Sequence, residues 1–192
     1  MLSQHTKTQS KEPIFETICR LARAKDEKAL TEIVKSGVCI GVVVQGEYTP
    51  VALLAKEGNK DAVEFLINKF RALRKEAVLG FARGRHVDQV IVMLSQKSDP
   101  GKRHKLRRWA VWGFARGRHV DQVIVMLSQE SDPEKLHELQ KWAVWGFAQG
   151  GYVRQVKKVF SQESNPEKLH ELRIWAVLGF AQGRYEIGRA HV

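Results

Sequence analysis

The stretch GFARGRHVDQVIVMLSQ at 80–96 returns unchanged at 113–129. GFAQGGYVRQVKKVFSQ comes next at 146–162 and GFAQGR opens a fourth copy at 179, so the starts fall every 33 residues. Self-similarity at this period marks a repeat array, in which each unit buries its apolar face only against its neighbours. The tryptophans keep the same spacing. Trp109, Trp142 and Trp175 form one column and Trp112 and Trp145 a second, which Leu79 and Leu178 extend.

Each unit predicts two helices. The first starts at Asp99-Pro100, Asp132-Pro133 or Asn165-Pro166, where Asp or Asn caps free amides and Pro suits the first helical position. In KLHELQKWAVWGFAQ the residues Leu136, Leu139, Trp142, Ala143, Gly146 and Phe147 recur in steps of three and four, one buried stripe. Gly150-Gly151 ends it. The second helix, YVRQVKKVFSQ, puts Val153, Val156, Val159 and Phe160 on one face.

The amino-terminal third keeps the rhythm in other residues. ICRLARAKDEKALTEIVKSGV at 18–38 and VALLAKEGNKDAVEFLINKF at 51–70 both read as helix-turn-helix, with Lys25 and Gly58 at matching positions and GEYTP, Gly46 to Pro50, between them. This arrangement resembles the ankyrin repeat: a glycine turn, Thr49-Pro50 opening the inner helix, an Ala-x-x-Gly end at Ala55 to Gly58, and an outer helix closing in Phe65-Leu66-Ile67. AQGGYVRQVKKVF still matches the family's Ala-x-x-Gly-His/Tyr pattern. The later units depart at the connection, where Trp-Ala replaces Thr-Pro and a helix cap replaces the Asp-Gly hairpin. A longer inner helix without a hairpin finger is expected there.

The expected fold is therefore an all-α solenoid of stacked 33-residue helix pairs. A flexible segment over 1–13 precedes two ankyrin-like repeats over 14–70, Trp-rich helix pairs over 71–183 with the last incomplete, and a non-native or disordered tail over 184–192. Residues 186–192, Glu-Ile-Gly-Arg-Ala-His-Val, are consistent with one frame of a short-read sequencing adapter, GATCGGAAGAGCACACGTC, whose first base ends the Glu186 codon and whose next codon is a stop. The expectation is a reading frame cut short by adapter read-through. Amplifying source DNA past this point tests it, a native stop codon after Val192 being the contrary result.

The composition, 43% hydrophobic and 28% charged, predicts a folded chain rather than a disordered one. No apolar run approaches the ~20 residues that span a bilayer, and the start lacks the order of a secretory signal. Cys19 and Cys39 form neither a disulfide framework nor a zinc ribbon and are read as small buried hydrophobes in a reducing compartment. His104, His137 and His170 recur once per unit, a column that does not converge on a metal. His86 and His119 are replaced by Tyr152 in the next copy, which indicates a structural turn. Glu134, Glu138, Glu167 and Glu171 are read as solvated surface, and no nucleophile elbow, zinc-protease, P-loop or dinucleotide motif is present. No catalysis, cofactor or metal is expected.

The net charge of +11 is concentrated: residues 71–110 hold 11 basic and 3 acidic side chains, against 4 and 5 over 111–150. GKRHKLRRW at 101–109 carries Arg103, Lys105, Arg107 and Arg108 where EKLHELQKW has Leu136, Glu138, Gln140 and Lys141, and with Arg71, Arg74, Lys75, Arg83, Arg85 and Lys97 it predicts a basic patch. Together with Trp109, Trp112, Trp142 and Trp145 these four cations are the candidate partner-binding residues, since Trp and Arg dominate interface hot spots. The resemblance implies a non-enzymatic, monomeric scaffold that binds a protein. It implies a cytoplasmic location too, or delivery into a host cell, as for repeat proteins of intracellular bacteria. The alternative is a nucleic-acid-binding repeat protein that uses 71–110 as a phosphate track.

Overall fold

The computed structural model describes residues 13–41, 43–45, 48–96 and 99–189, with side chains described through 183. The expected flexible segment, but for Pro13, and the side chains of the expected tail lie outside the described residues. Among those described, the chain is all-helical, with a single isolated bridge between Gln45 and Tyr48.

Five helix pairs succeed one another: α1 (Ile14–Arg23) with α2 (Glu27–Lys35), α3 (Pro50–Lys56) with α4 (Lys60–Lys69), α5 (Arg74–Arg83) with α6 (Val87–Ser95), α7 (Pro100–Arg116) with α8 (Val120–Ser128), and α9 (Pro133–Gln149) with α10 (Val153–Phe160). The helix α11 (Pro166–Arg189) closes the described chain. The first members stack in sequence, α3 on α5, α5 on α7, α7 on α9 and α9 on α11, while each second member packs on its own partner.

The turn inside each pair is one motif repeated. The amides of Lys25 and Asp26 bond back to Ala22 and Leu21, and Gly58–Asn59, Arg85–His86, Arg118–His119 and Gly151–Tyr152 repeat this double closure. The first residue of each of these couples takes a positive φ of 56–76°. Only Gly58 and Gly151 adopt it without a Cβ penalty. The side-chain oxygens of Asn59 and Asp26 then cap the second helix, accepting from the Ala62 and Ala29 amides. His86 and His119 do not cap; their Nε2–H groups donate to the carbonyls of Lys56 and Arg83 in the preceding unit, at 2.9 and 3.0 Å. Each ring thereby satisfies a carbonyl left open at the end of a neighbouring helix, a structural role at the turn.

The first helices open on the expected caps. Thr49 Oγ1 accepts from the Ala52 amide, Asp99 Oδ1 from Lys102, Asp132 Oδ1 from Glu134 and Lys135, and Asn165 Oδ1 from Glu167 and Lys168. Three expectations fail. Val153 is exposed, because as the first residue of α10 it points away from the seam that Val156 and Val159 fill. Cys39 is exposed in the connection after α2; only Cys19 is buried, and burial pushes its thiol up to about 11. Finally, α11 does not break where α9 does: its backbone runs on past Gly183 through Arg189, where the unit's turn would fall.

What sets the spacing of the stack is a glycine in each first helix from α5 onward. A Cβ on Gly113 would lie 2.7 Å from Ala82 Cβ and 2.8 Å from the Leu79 carbonyl oxygen. Gly146 meets Ala115 and Trp112 in the same way, and Gly179 meets Ala148 and Trp145. The neighbouring groups are backbone or backbone-attached and cannot rotate aside. Gly113→Ala gains ~1 kcal/mol of helix propensity but overpacks a seam at a cost of ~1–3 kcal/mol. The expected net result is a lower melting temperature, by roughly 2–4 °C per kcal/mol lost, measured by circular dichroism. Gly101→Ala, whose Cβ meets only Asp99 Oδ1 at 3.3 Å, leaves it unchanged or higher. A Gly113→Ala protein as stable as the parent would contradict the close approach. By the same method, Arg85→Gly is expected to stabilise the chain by about 0.5–1 kcal/mol, because it relieves a left-handed residue that is exposed.

Candidate partner-binding cleft and tryptophan face

The array has one irregular step. The left-handed turn residues Arg85, Arg118 and Gly151 keep the 33-residue spacing, as do Lys25 and Gly58, but Gly58 and Arg85 are only 27 positions apart. The shortening falls before α5, which has 10 residues where α7 and α9 have 17. The amino-terminal turns of α7 therefore extend beyond the start of α5, and beneath them lie the end of α4 and a 3-10 turn over Arg71–Leu73.

This overhang leaves an open cleft of about 520 Å³. Arg71, Arg74 and Lys75 line one side; Lys102, Lys105 and Arg108 line the other, with Trp109 and Leu106 between them. No carboxylate is among its lining residues. Arg74 bonds the neutral Gln96 amide oxygen at 2.9 Å. The Lys75 ammonium sits 5.5 Å over the Trp109 ring and 3.4 Å from Glu76. Asp99 caps α7 and stands 3.9 Å from the Lys102 ammonium, and the Lys102 amide that it accepts from holds its carboxyl below the ordinary range.

The basic segment thus divides. Arg107 turns away from the cleft and donates to Glu130 Oε2 at 2.7 Å and to the Met126 carbonyl at 2.8 Å. Arg108 reaches the cleft wall but pairs with Glu138 and lies 5.5 Å over Trp142. Arg103 is exposed outside the cleft lining, and Arg83 lies 4.4 Å over the Tyr48 ring, at the opposite end of α5. Of the four candidate cations, then, the fold brings Lys105 and Arg108 to the cleft and uses Arg107 to join α7 to α8. Lys102 escaped the sequence reading because Lys135 and Lys168 occupy its position in the other units, so it does not stand out.

The tryptophans form one continuous ladder on the first-helix face. Trp112 and Trp145 stack at 4.9 Å with rings 8° from parallel, and Trp109, Trp142 and Trp175 pack edge-on or tilted around them at 5.2–6.2 Å. Trp112 is buried and the other four are partly covered. The indole N–H of Trp112 donates to Gln149 Oε1 and that of Trp145 to Gln182 Oε1, while Gln149 Nε2 donates to the same Gln182 oxygen. These glutamines, one unit apart, are functional neighbours that the sequence reading missed; what marked them was the Arg-to-Gln change from GFARG to GFAQG.

The histidine column also has a role that spacing alone did not reveal. His104 Nε2 meets Glu138 at 2.7 Å, and His137 Nε2 meets Glu171 at 2.9 Å. Each bond ties one first helix to the next. Glu138 and Glu171 are therefore not merely solvated surface. For Glu138 burial opposes ionisation, but the bonds from His104 and Arg108 outweigh it and hold the carboxyl below the usual range; His137 and Lys141 do the same for Glu171. A lowered folded value stabilises above the ordinary glutamate pKa of ~4.3 and is lost as pH falls through that lowered value. Glu138→Gln is expected to cost about 1 kcal/mol at pH 7, reduced by its partial exposure, with the difference shrinking as pH falls through that lowered value. Urea melts at pH 7 and across the acid range measure it, and a gap that persists undiminished in acid would contradict the assignment.

No group of three or more metal-ligating side chains converges among the described residues, and no described helix is long and apolar enough to cross a membrane. No family model, curated protein or solved structure matches the chain.

Proposed function

We propose that the protein is a non-enzymatic helical-repeat scaffold that binds a protein partner along the face formed by α5, α7, α9 and α11. The observation that carries this reading is the coincidence, on one wall, of a bonded tryptophan ladder and a basic cleft. Rigid aromatic side chains with fixed indoles bury apolar area at little entropic cost, and a rim of cations steers an acidic partner. The ankyrin resemblance is part of the proposal, supported by the Thr49 cap, the Pro50 start of α3 and the repeated turn at Gly58. The six cations around the cleft favour a second reading, in which the same wall holds nucleic acid.

Capture on the immobilised full chain, after nuclease treatment and at 0.3 M salt, is expected to retain a stoichiometric protein. All five tryptophans belong to α7, α9 and α11, so a partner on this face must shield them from acrylamide quenching. Unchanged quenching in the complex would move the site to another face. Loss of all bound material with nuclease, together with steeply salt-dependent RNA or DNA anisotropy, would favour the second reading.

A further inference from the structure

We infer that the cleft between the 3-10 turn and α7 is a phosphate site, and that its occupant is a phosphorylated side chain of a protein partner. The inference rests on the protein-recognition reading and names the chemistry of that partner. Its first basis is uncompensated charge. Arg71 and Lys105 are exposed, face the same opening and form no direct ion pair with a carboxylate among the described residues, Lys105 acting on Asp99 only through space, while Arg74 bonds only a neutral amide. A single carboxylate would neutralise one of these three. A phosphoryl group brings close to two negative charges and three acceptor oxygens, and forked guanidiniums match those oxygens in pairs.

Its second basis is size and shape. About 520 Å³ accommodates one modified side chain with its flanking backbone. Leu106 and Trp109 give the stem of that side chain an apolar wall.

Nucleic acid fits less well on two counts. A backbone track needs cations over successive units, whereas here acids close the patch: Glu130 and Glu138 take Arg107 and Arg108, and Glu134 takes Lys168. Sequence-tolerant binding of single strands also needs open aromatic faces. Lys75 already covers one at Trp109, and Trp112 is buried.

The test is fluorescence anisotropy of the full chain with three labelled probes at 0.15 M salt. They are a Gly/Ser-rich dodecapeptide carrying one phosphoserine, its unphosphorylated twin, and a single-stranded RNA of similar length. The phosphopeptide is expected to bind at least tenfold more tightly than its twin, and inorganic phosphate to compete with it. Arg71→Gln combined with Lys105→Gln is expected to abolish the difference while leaving the melting temperature unchanged, since both side chains are exposed. Equal binding of the two peptides, binding that ignores the double substitution, or RNA bound more tightly than the phosphopeptide would each overturn the inference. Failure here, with a nuclease-resistant partner still shielding the tryptophans, removes the phosphate site alone; failure of that shielding removes the scaffold reading itself.

Discussion

The close contact of a glycine in one first helix with an alanine in the preceding one is the constraint on which the rest of the structure depends. Gly80 meets Ala55, Gly113 meets Ala82, Gly146 meets Ala115 and Gly179 meets Ala148, each with no room for a Cβ. Backbones held this near fix the register as well as the spacing of adjacent units. Only in that register do the indoles of Trp112 and Trp145 stack, do Gln149 and Gln182 reach both an indole and each other, and do His104 and His137 find Glu138 and Glu171. A stack of this kind has neighbour contacts and little else, so its stability is the sum of unit and interface terms.

The cleft is the consequence of a break in that regularity. The Gly80–Ala55 contact is kept across the short step, so α5 stacks normally on α3 and the missing length appears at the amino-terminal side of α5. At that step α7 overhangs a gap. The copy of the repeat at that gap is also the one that exchanged acids for Arg and Lys, and the fold sorts those cations by position. Arg107 and Arg108 hold neighbouring elements; Lys105, Lys102 and the side chains of the connecting turn remain around the opening.

The period, the caps and the turns were legible in the sequence because each is a local signal: Asp132 and Asn165 cap the helices that start beside them, whatever the fold does elsewhere. The tryptophan columns were legible as columns. The features that escaped depended on contacts between units. The burial of His137 and its bond to Glu171, 34 positions away, need the register, and so does the removal of Arg107 from the basic patch. The step of 27 was written in the spacing of Gly58 and Arg85, but it is hidden by the change of residues there, since a left-handed arginine does not look like the glycine it replaces. Cys39 and Val153 were misread for the opposite reason: an apolar residue type says little about burial at the edge of a helix or in a connection.

Native-state amide hydrogen exchange, resolved by peptide, tests the stacked-neighbour account most directly. The account places the slowest amides in α7 and α9, which are covered by first helices on both sides, and faster ones in α11, where Ile174, Val177 and Leu178 remain exposed. Protection in α11 equal to that in α9, or uniform loss of protection along the chain as one cooperative unit, would contradict it.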